Sequence, residues 1–146
     1  MHNEDCFHLG IKALIQDTGS NILLLKVNTN ELKKYSGDPY WDIPGGRLQV
    51  GDDIESTIRR EINEETGIIK INSFTFFSAV LSNIRIPVGN STVGLILFTY
   101  LCFIENSTSI TLSNEHTEYG WFSPKDAAKL LEVKYPLEFT EKLRII

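Results

Sequence analysis

Three glutamates stand close together in one stretch of this chain: Glu61, Glu64 and Glu65, spaced i, i+3, i+4. On a helix, at ~100° per residue, Glu65 lies at about +40° and Glu64 at about −60° from Glu61. Ile54 and Ile58 fall at about +20° and +60°, whereas Arg59, Asn63 and Thr66 point away. The carboxylates therefore share the face that the helix must pack. Partial burial there strengthens their mutual repulsion. A hard divalent cation removes the conflict, because Mg²⁺ takes carboxylate oxygens in octahedral geometry. The same spacing also suits a solvated acidic helix edge with Arg59 and Arg60 as partners.

The elements that must position these acids can be read from the flanks. Asp52 or Asp53 can cap the helix, the apolar pattern runs Ile54, Ile58, Ile62 to Thr66, and Gly67 follows as the stop. Before it, Phe7–Ile15 and Ile22–Val27 read as strands around the turn cluster of residues 17–21, most simply a hairpin. Asn28–Tyr40 is a polar loop, longer than usual for a connection and so a candidate for function. Trp41-Asp42-Ile43 is a strand stub stopped by Pro44-Gly45-Gly46. After the helix, Ile68–Leu81 and Val93–Glu105 are β-branched and aromatic, with turn residues over 82–92 between them. Glu118–Phe122 is one more short strand. Ser123-Pro124-Lys125-Asp126 starts a helix, and a last helix begins near Pro136. The expected class is α/β, a sandwich of helices about a mixed sheet.

Length and composition bound the function. The 146 residues are expected to form one domain, 1–146, with 42% apolar and 23% charged residues and a net charge of −5. No general basic surface exists for a nucleic-acid backbone, so no nucleic-acid partner is expected. Any anionic substrate needs a local cationic patch or a metal. Cys6 and Cys102 have no metal-type spacing and read as reduced thiols. With no membrane-length apolar run and no visible signal peptide, the expected setting is cytoplasmic and away from membranes.

Residues 46–68 read GRLQVGDDIESTIRREINEETGI. This segment resembles the Nudix hydrolase signature, G-x5-E-x7-R-E-U-x-E-E-x-G-U, where U is a bulky aliphatic residue. Gly46, Arg60, Glu61, Ile62, Glu64, Glu65, Gly67 and Ile68 match it; Asp52 stands where the family has Glu. The resemblance implies an α/β/α sandwich with a mixed central sheet, and a hydrolase acting on a nucleoside diphosphate linked to another moiety. It implies Mg²⁺, or Mn²⁺, held by Glu61, Glu64 and Glu65. Glu64 and Arg60 would belong to the catalytic set, Arg60 by fixing the glutamates. Gly45 and Gly46 would bring backbone close to the phosphates, with Arg47 among the substrate-binding residues. Asp52 would be a cap and outer-shell residue.

Relatives often add an acid from outside the signature. Glu115 is preferred here, ahead of Glu118 and Glu105; the neighbouring His116 could hydrogen-bond substrate or shuttle a proton, and is read first as a surface residue. In the long loop, Lys33 and Lys34 could screen phosphates and Tyr35 and Tyr40 could stack on a base; the two tyrosines could equally anchor the loop. No tag for a particular substrate is visible, so a nucleoside triphosphate or a small nucleoside diphosphate derivative is expected, with a homodimer left open. The alternative is a Nudix-fold module that binds or senses a nucleotide without cleaving it.

Overall fold

The computed structural model describes residues 3–32, 37–105 and 109–146. In chain order they form β1 (Phe7–Gln16), β2 (Ile22–Val27), β3 (Trp41–Asp42), β4 (Gly45–Arg47), α1 (Ile54–Thr66), β5 (Ser73–Leu81), β6 (Ile86–Val88), β7 (Ser91–Phe103), β8 (His116–Phe122), α2 (Pro124–Leu130) and α3 (Leu137–Arg144). β1 is central. It runs parallel to β7 from Phe7↔Gly94 to Gln16↔Phe103 and antiparallel to β4 from Gly10↔Arg47 to Lys12↔Gly45. β5 lies antiparallel on the far side of β7, while β2 carries β3 and β8. The sheet is mixed, as expected.

Alternation along β1 and β2 divides the core into two layers. Ile11, Ala13, Ile15, Leu23 and Leu25 pack with Ile58 and Ile62 of α1. Leu14, Ile22 and Leu24 pack with Ala127, Ala128, Phe139 and Leu143 from α2 and α3. Strand side chains alternate between faces, so two apolar faces demand helices on both. The α/β/α sandwich follows. Among the described residues, no helix is long and apolar enough to cross a membrane.

Several expectations need correction. The turn after β1 forms, with Asp17 accepting from the Gly19 and Asn21 amides at 2.9 Å each. β1 and β2, however, meet in register only at Gln16↔Ile22. A long strand that is apolar on both faces satisfies its two edges with β7 and β4 instead of with its sequence neighbour. Pro44-Gly45-Gly46 does not simply stop a strand, because Gly45 and Gly46 themselves pair with β1. Residues 82–92 hold β6, which folds back on the start of β7 through Gly89 at φ 59. Residues 68–72 are not strand. The two C-terminal helices start where predicted, with Ser123 accepting from the Asp126 amide and Pro136 preceding α3.

Candidate active site

α1 presents the acids as its buried arc requires. Thr57, Ile58, Ile62, Glu65 and Thr66 are the buried residues of this helix. At ~100° per residue they span from about −40° to about +140° relative to Glu61. Glu65 lies inside the arc and is only 4% exposed; Glu61 lies inside it and is half-buried; Glu64 lies just outside and is exposed. Thr66 does not point away as expected. It is buried, donates to the Ile62 carbonyl and accepts the Ile68 amide.

The cap is Asp53, not Asp52: Asp53 accepts from the Ser56 amide at 2.8 Å, and Gly67 closes the helix at φ 79. Asp52 accepts the Gln49 amide in the preceding turn and faces the Arg60 guanidinium at 3.6 Å. Arg60 stands equally 3.6 Å from Glu61, so one guanidinium spans both carboxylates.

The paired glycines meet this helix at closest approach. The Gly45 amide donates to Glu65 Oε2 at 2.8 Å. A Cβ on Gly45 would sit 2.2 Å from the Ile11 carbonyl oxygen, and one on Gly46 would sit 2.6 Å from the Glu61 carboxyl. Only glycine lets the strand run between β1 and the two acids.

A third element completes the cluster. The loop before β8 is tied to the end of β2: the Asn28 amide donates to the Glu115 carbonyl at 2.8 Å, and Asn28 Nδ2 to the Asn114 carbonyl at 2.9 Å. A bulge between Lys26 and Val27 in the β2–β8 ladder then sets His116 opposite Val27. Bulges re-aim side chains in this way. Ligand atoms of Glu65, Glu115 and His116 all lie within 4.8 Å of one another. His116 is therefore not a surface residue. Its Nδ1 is buried and has no hydrogen-bond partner among the described residues.

The electrostatics are those of crowded acids. Burial and then Glu64 push Glu61 up, with Glu115 adding to the effect and Arg60 opposing it. Burial pushes Glu65 up to about 8, against the pull of Lys12 and the Gly45 amide. Burial and the nearby Lys12 hold His116 down at about 4. A buried carboxylate, Glu65, close to the exposed carboxylate of Glu115 and the half-buried imidazole of His116, forms a donor set that fits a divalent cation.

Glu65, Glu115 and His116 face a cleft of about 530 Å³. Gly45, Gly46, Arg47, Tyr40, Glu65, Glu115 and His116 line it, as do Asn28, Glu31 and Leu32 of the long loop. Lys33, Lys34 and Tyr35 lie outside the described residues. Glu61, Glu64, Arg60 and Asp52 are not in the cleft wall. Glu118 turns away to pair with Lys26 at 3.4 Å, and Glu105 is exposed outside the cleft.

Sequence reading missed a second cluster on the cleft floor. Asp42 is buried and accepts from Lys12 at 3.2 Å and Lys134 at 2.6 Å through Oδ2. Its Oδ1 accepts from the Tyr135 hydroxyl at 2.6 Å and the Ile43 amide at 2.8 Å. Burial alone would raise the Asp42 carboxyl, but the two lysines and these bonds outweigh it and hold it well below the usual carboxylate range. The available signal was a lysine inside the apolar run LGIKALI and an aspartate inside Trp-Asp-Ile.

Comparison with known proteins identifies the family and the fold. The family model of the NUDIX domain matches residues 7–143. A nucleoside triphosphatase NudI from Escherichia fergusonii is 28% identical over 120 residues, covering 80% of this chain and 82% of that protein. Its counterpart from Escherichia coli K12 is 26% identical over 117 residues, 77% of this chain and 79% of that protein. Among solved structures, the MutT protein of Methanosarcina mazei superposes with a TM-score of 0.70 at 23% identity, covering 97% of this chain and 94% of the other. The dihydroneopterin triphosphate pyrophosphohydrolase of E. coli does so at 0.71 and 16% identity, with 94% of each chain covered. At these identities the structures speak to the fold.

Proposed function

The chain belongs to the NUDIX family and is a Nudix pyrophosphohydrolase, and we propose that it cleaves a phosphoanhydride bond of a nucleoside triphosphate or a small nucleoside diphosphate derivative with Mg²⁺ or Mn²⁺. The observation that carries this reading is the convergence of Glu65, Glu115 and His116 within 4.8 Å, beside two glycines at which no side chain fits. The NudI relatives, named as nucleoside triphosphatases, favour a triphosphate.

In this reading Glu65 holds the cation together with Glu61 and Glu64, and the ligand atoms of Glu115 and His116 lie within 4.8 Å of that of Glu65. When bound, the cation neutralises phosphate oxygens and acidifies a water molecule. Arg60 holds Glu61 in place from the solvent side and keeps Asp52 with it. The Gly45 amide holds Glu65 in one rotamer. Glu115 is exposed at the cleft edge, so it can reach an attacking water and take its proton. Tyr40 and the Asn28–Leu32 segment wall the cleft where a nucleoside would lie, with Arg47 on the rim.

A panel of nucleoside triphosphates and nucleoside diphosphate derivatives, read by phosphate and pyrophosphate release with and without Mg²⁺, tests the proposal. Metal-dependent release from at least one nucleotide is expected. Tight nucleotide binding with no release from any compound, under Mg²⁺ or Mn²⁺, would establish a sensor module in its place.

A further inference from the structure

β7 serves two surfaces. Leu95 and Leu97 line the cleft, and strand side chains alternate, so Ile96, Phe98 and Tyr100 lie on the opposite face of the sheet, the one that carries α1. α1 packs over β1 and β4 and reaches β5 with the Arg59 guanidinium, 4.5 Å from the Phe74 ring. Beyond Phe74 the apolar face lies open. Phe76 is 53% exposed, although its ring meets those of Phe98 and Tyr100 edge to face at 5.9 and 5.7 Å. Leu81 stands opposite Ile96 and is 56% exposed. Phe7 stands opposite Gly94 and is 43% exposed; a Cβ on that glycine would lie 2.5 Å from the Phe7 ring, so the ring lies directly on the strand.

The area is that of half an interface. At ~200 Å² per aromatic side chain, these exposures and the half-buried Ile96, Phe98 and Tyr100 leave about 400 Å² of contiguous apolar surface. Homodimer interfaces are roughly 65% apolar, so this core implies about 650 Å² per copy and about 1,300 Å² in all, within the range of specific dimers.

The charge pattern selects the partner. From Ile71 to Ile104 the sequence holds one charged residue, Arg85, in a chain that is 23% charged. Arg85 is itself bound by the Asp5 carboxylate at 2.8 and 2.9 Å. A solvated edge strand ordinarily carries charges, lysine above all, and β5 carries none. Each copy bears a net charge of −5, so two copies repel unless the surface that joins them is free of acids. β5 and β7 meet that condition. An anionic lipid surface would call for basic residues, which both strands lack. The partner seats on the face and not on the strand edge, because a bulge between Phe76 and Ser78 bends β5 and Lys142 donates to the Phe77 carbonyl there.

We propose that a second copy of this chain covers this face, in a two-fold dimer whose core is Phe76 and Leu81 of each copy, with both clefts open on the far side of the sheets. The dimer is independent of the reaction assigned to the cleft.

The test is sedimentation velocity of the full chain from about 1 to about 200 µM at roughly 150 mM salt. The wild type is expected to pass from monomer to dimer in this range. Phe76→Lys and Leu81→Lys place a charge in the core and should each weaken association at least about tenfold. Leu137→Lys changes an exposed apolar residue at the start of α3 and should stay within about twofold of wild type. Thermal melts verify each fold, and Phe76→Ser replaces Phe76→Lys if the latter does not fold. A wild type monomeric throughout, folded Leu81→Lys associating as the wild type does, or an equal loss in Leu137→Lys would each overturn the dimer. Flotation of a monomeric wild type with phosphatidylcholine vesicles would also overturn it and give the face to a lipid surface.

Discussion

Replacing Glu65 with glutamine should stabilise the metal-free protein at alkaline pH, and the reason lies in its surroundings. Glu65 is 4% exposed, and burial first, with Glu61 and Glu115 adding, raises it from 4.5 to about 8. An acid raised in the folded state binds its proton more tightly there than in the unfolded chain. The folded form is therefore penalised as pH climbs from 4.5 towards 8. At about 1.4 kcal/mol per pKa unit, the ceiling on that penalty is on the order of 5 kcal/mol. The amide side chain in Glu65→Gln would keep the acceptor for the Gly45 amide and lose the charge, but Lys12 would lose a favourable neighbour. A net gain of about 2 kcal/mol at pH 8 follows, or roughly 4–8 °C in Tm for a chain of this size. The assay is a melt of both proteins in chelator from pH 5 to pH 8. His116 titrates in both proteins and drops out of the difference. The gap should be near zero at pH 5, widen to pH 8, and shrink or reverse with saturating Mg²⁺. A variant no more stable than wild type at pH 8, or a gap independent of pH, would refute the reasoning.

Other substitutions probe the remaining supports. Asp53→Ala removes the acceptor of the Ser56 amide and should cost about 1 kcal/mol in chemical denaturation, whereas Asp52→Ala should cost less, because Asp52 does not cap the helix. Gly46→Ala drives a methyl group into the Glu61 carboxyl, so Mg²⁺-dependent turnover should fall by about 100-fold or more with the protein still folded, as judged by circular dichroism and kcat. Glu115→Gln should lower kcat by roughly 100-fold with a smaller change in KM, and Glu118→Gln, whose partner is Lys26, should leave both within twofold; the reverse ranking moves the proton-accepting role to Glu118.

The chemistry-bearing helix was legible from sequence because its information is local. Spacing at 3.6 residues per turn, an acid at the start and Gly67 at the end specify α1. The same arithmetic puts Glu61 and Glu65 on the packed side and leaves Glu64 at its edge. Apolar alternation marked most of the strands, and the Ser-Pro start marked α2. What the sequence could not decide was which strands meet. β1 looked like half of a hairpin, but it pairs along its whole length with β7, more than eighty residues away. Hydrogen-bond partners across such a distance depend on which edges the finished sheet leaves open. His116 could not be distinguished from a surface residue, because a bulge against β2 turns it inward. Lys12, Asp42, Lys134 and Tyr135 come from β1, β3 and the turns after α2. No spacing rule links residues from separate elements, and only the closed sandwich brings their charges within bonding distance.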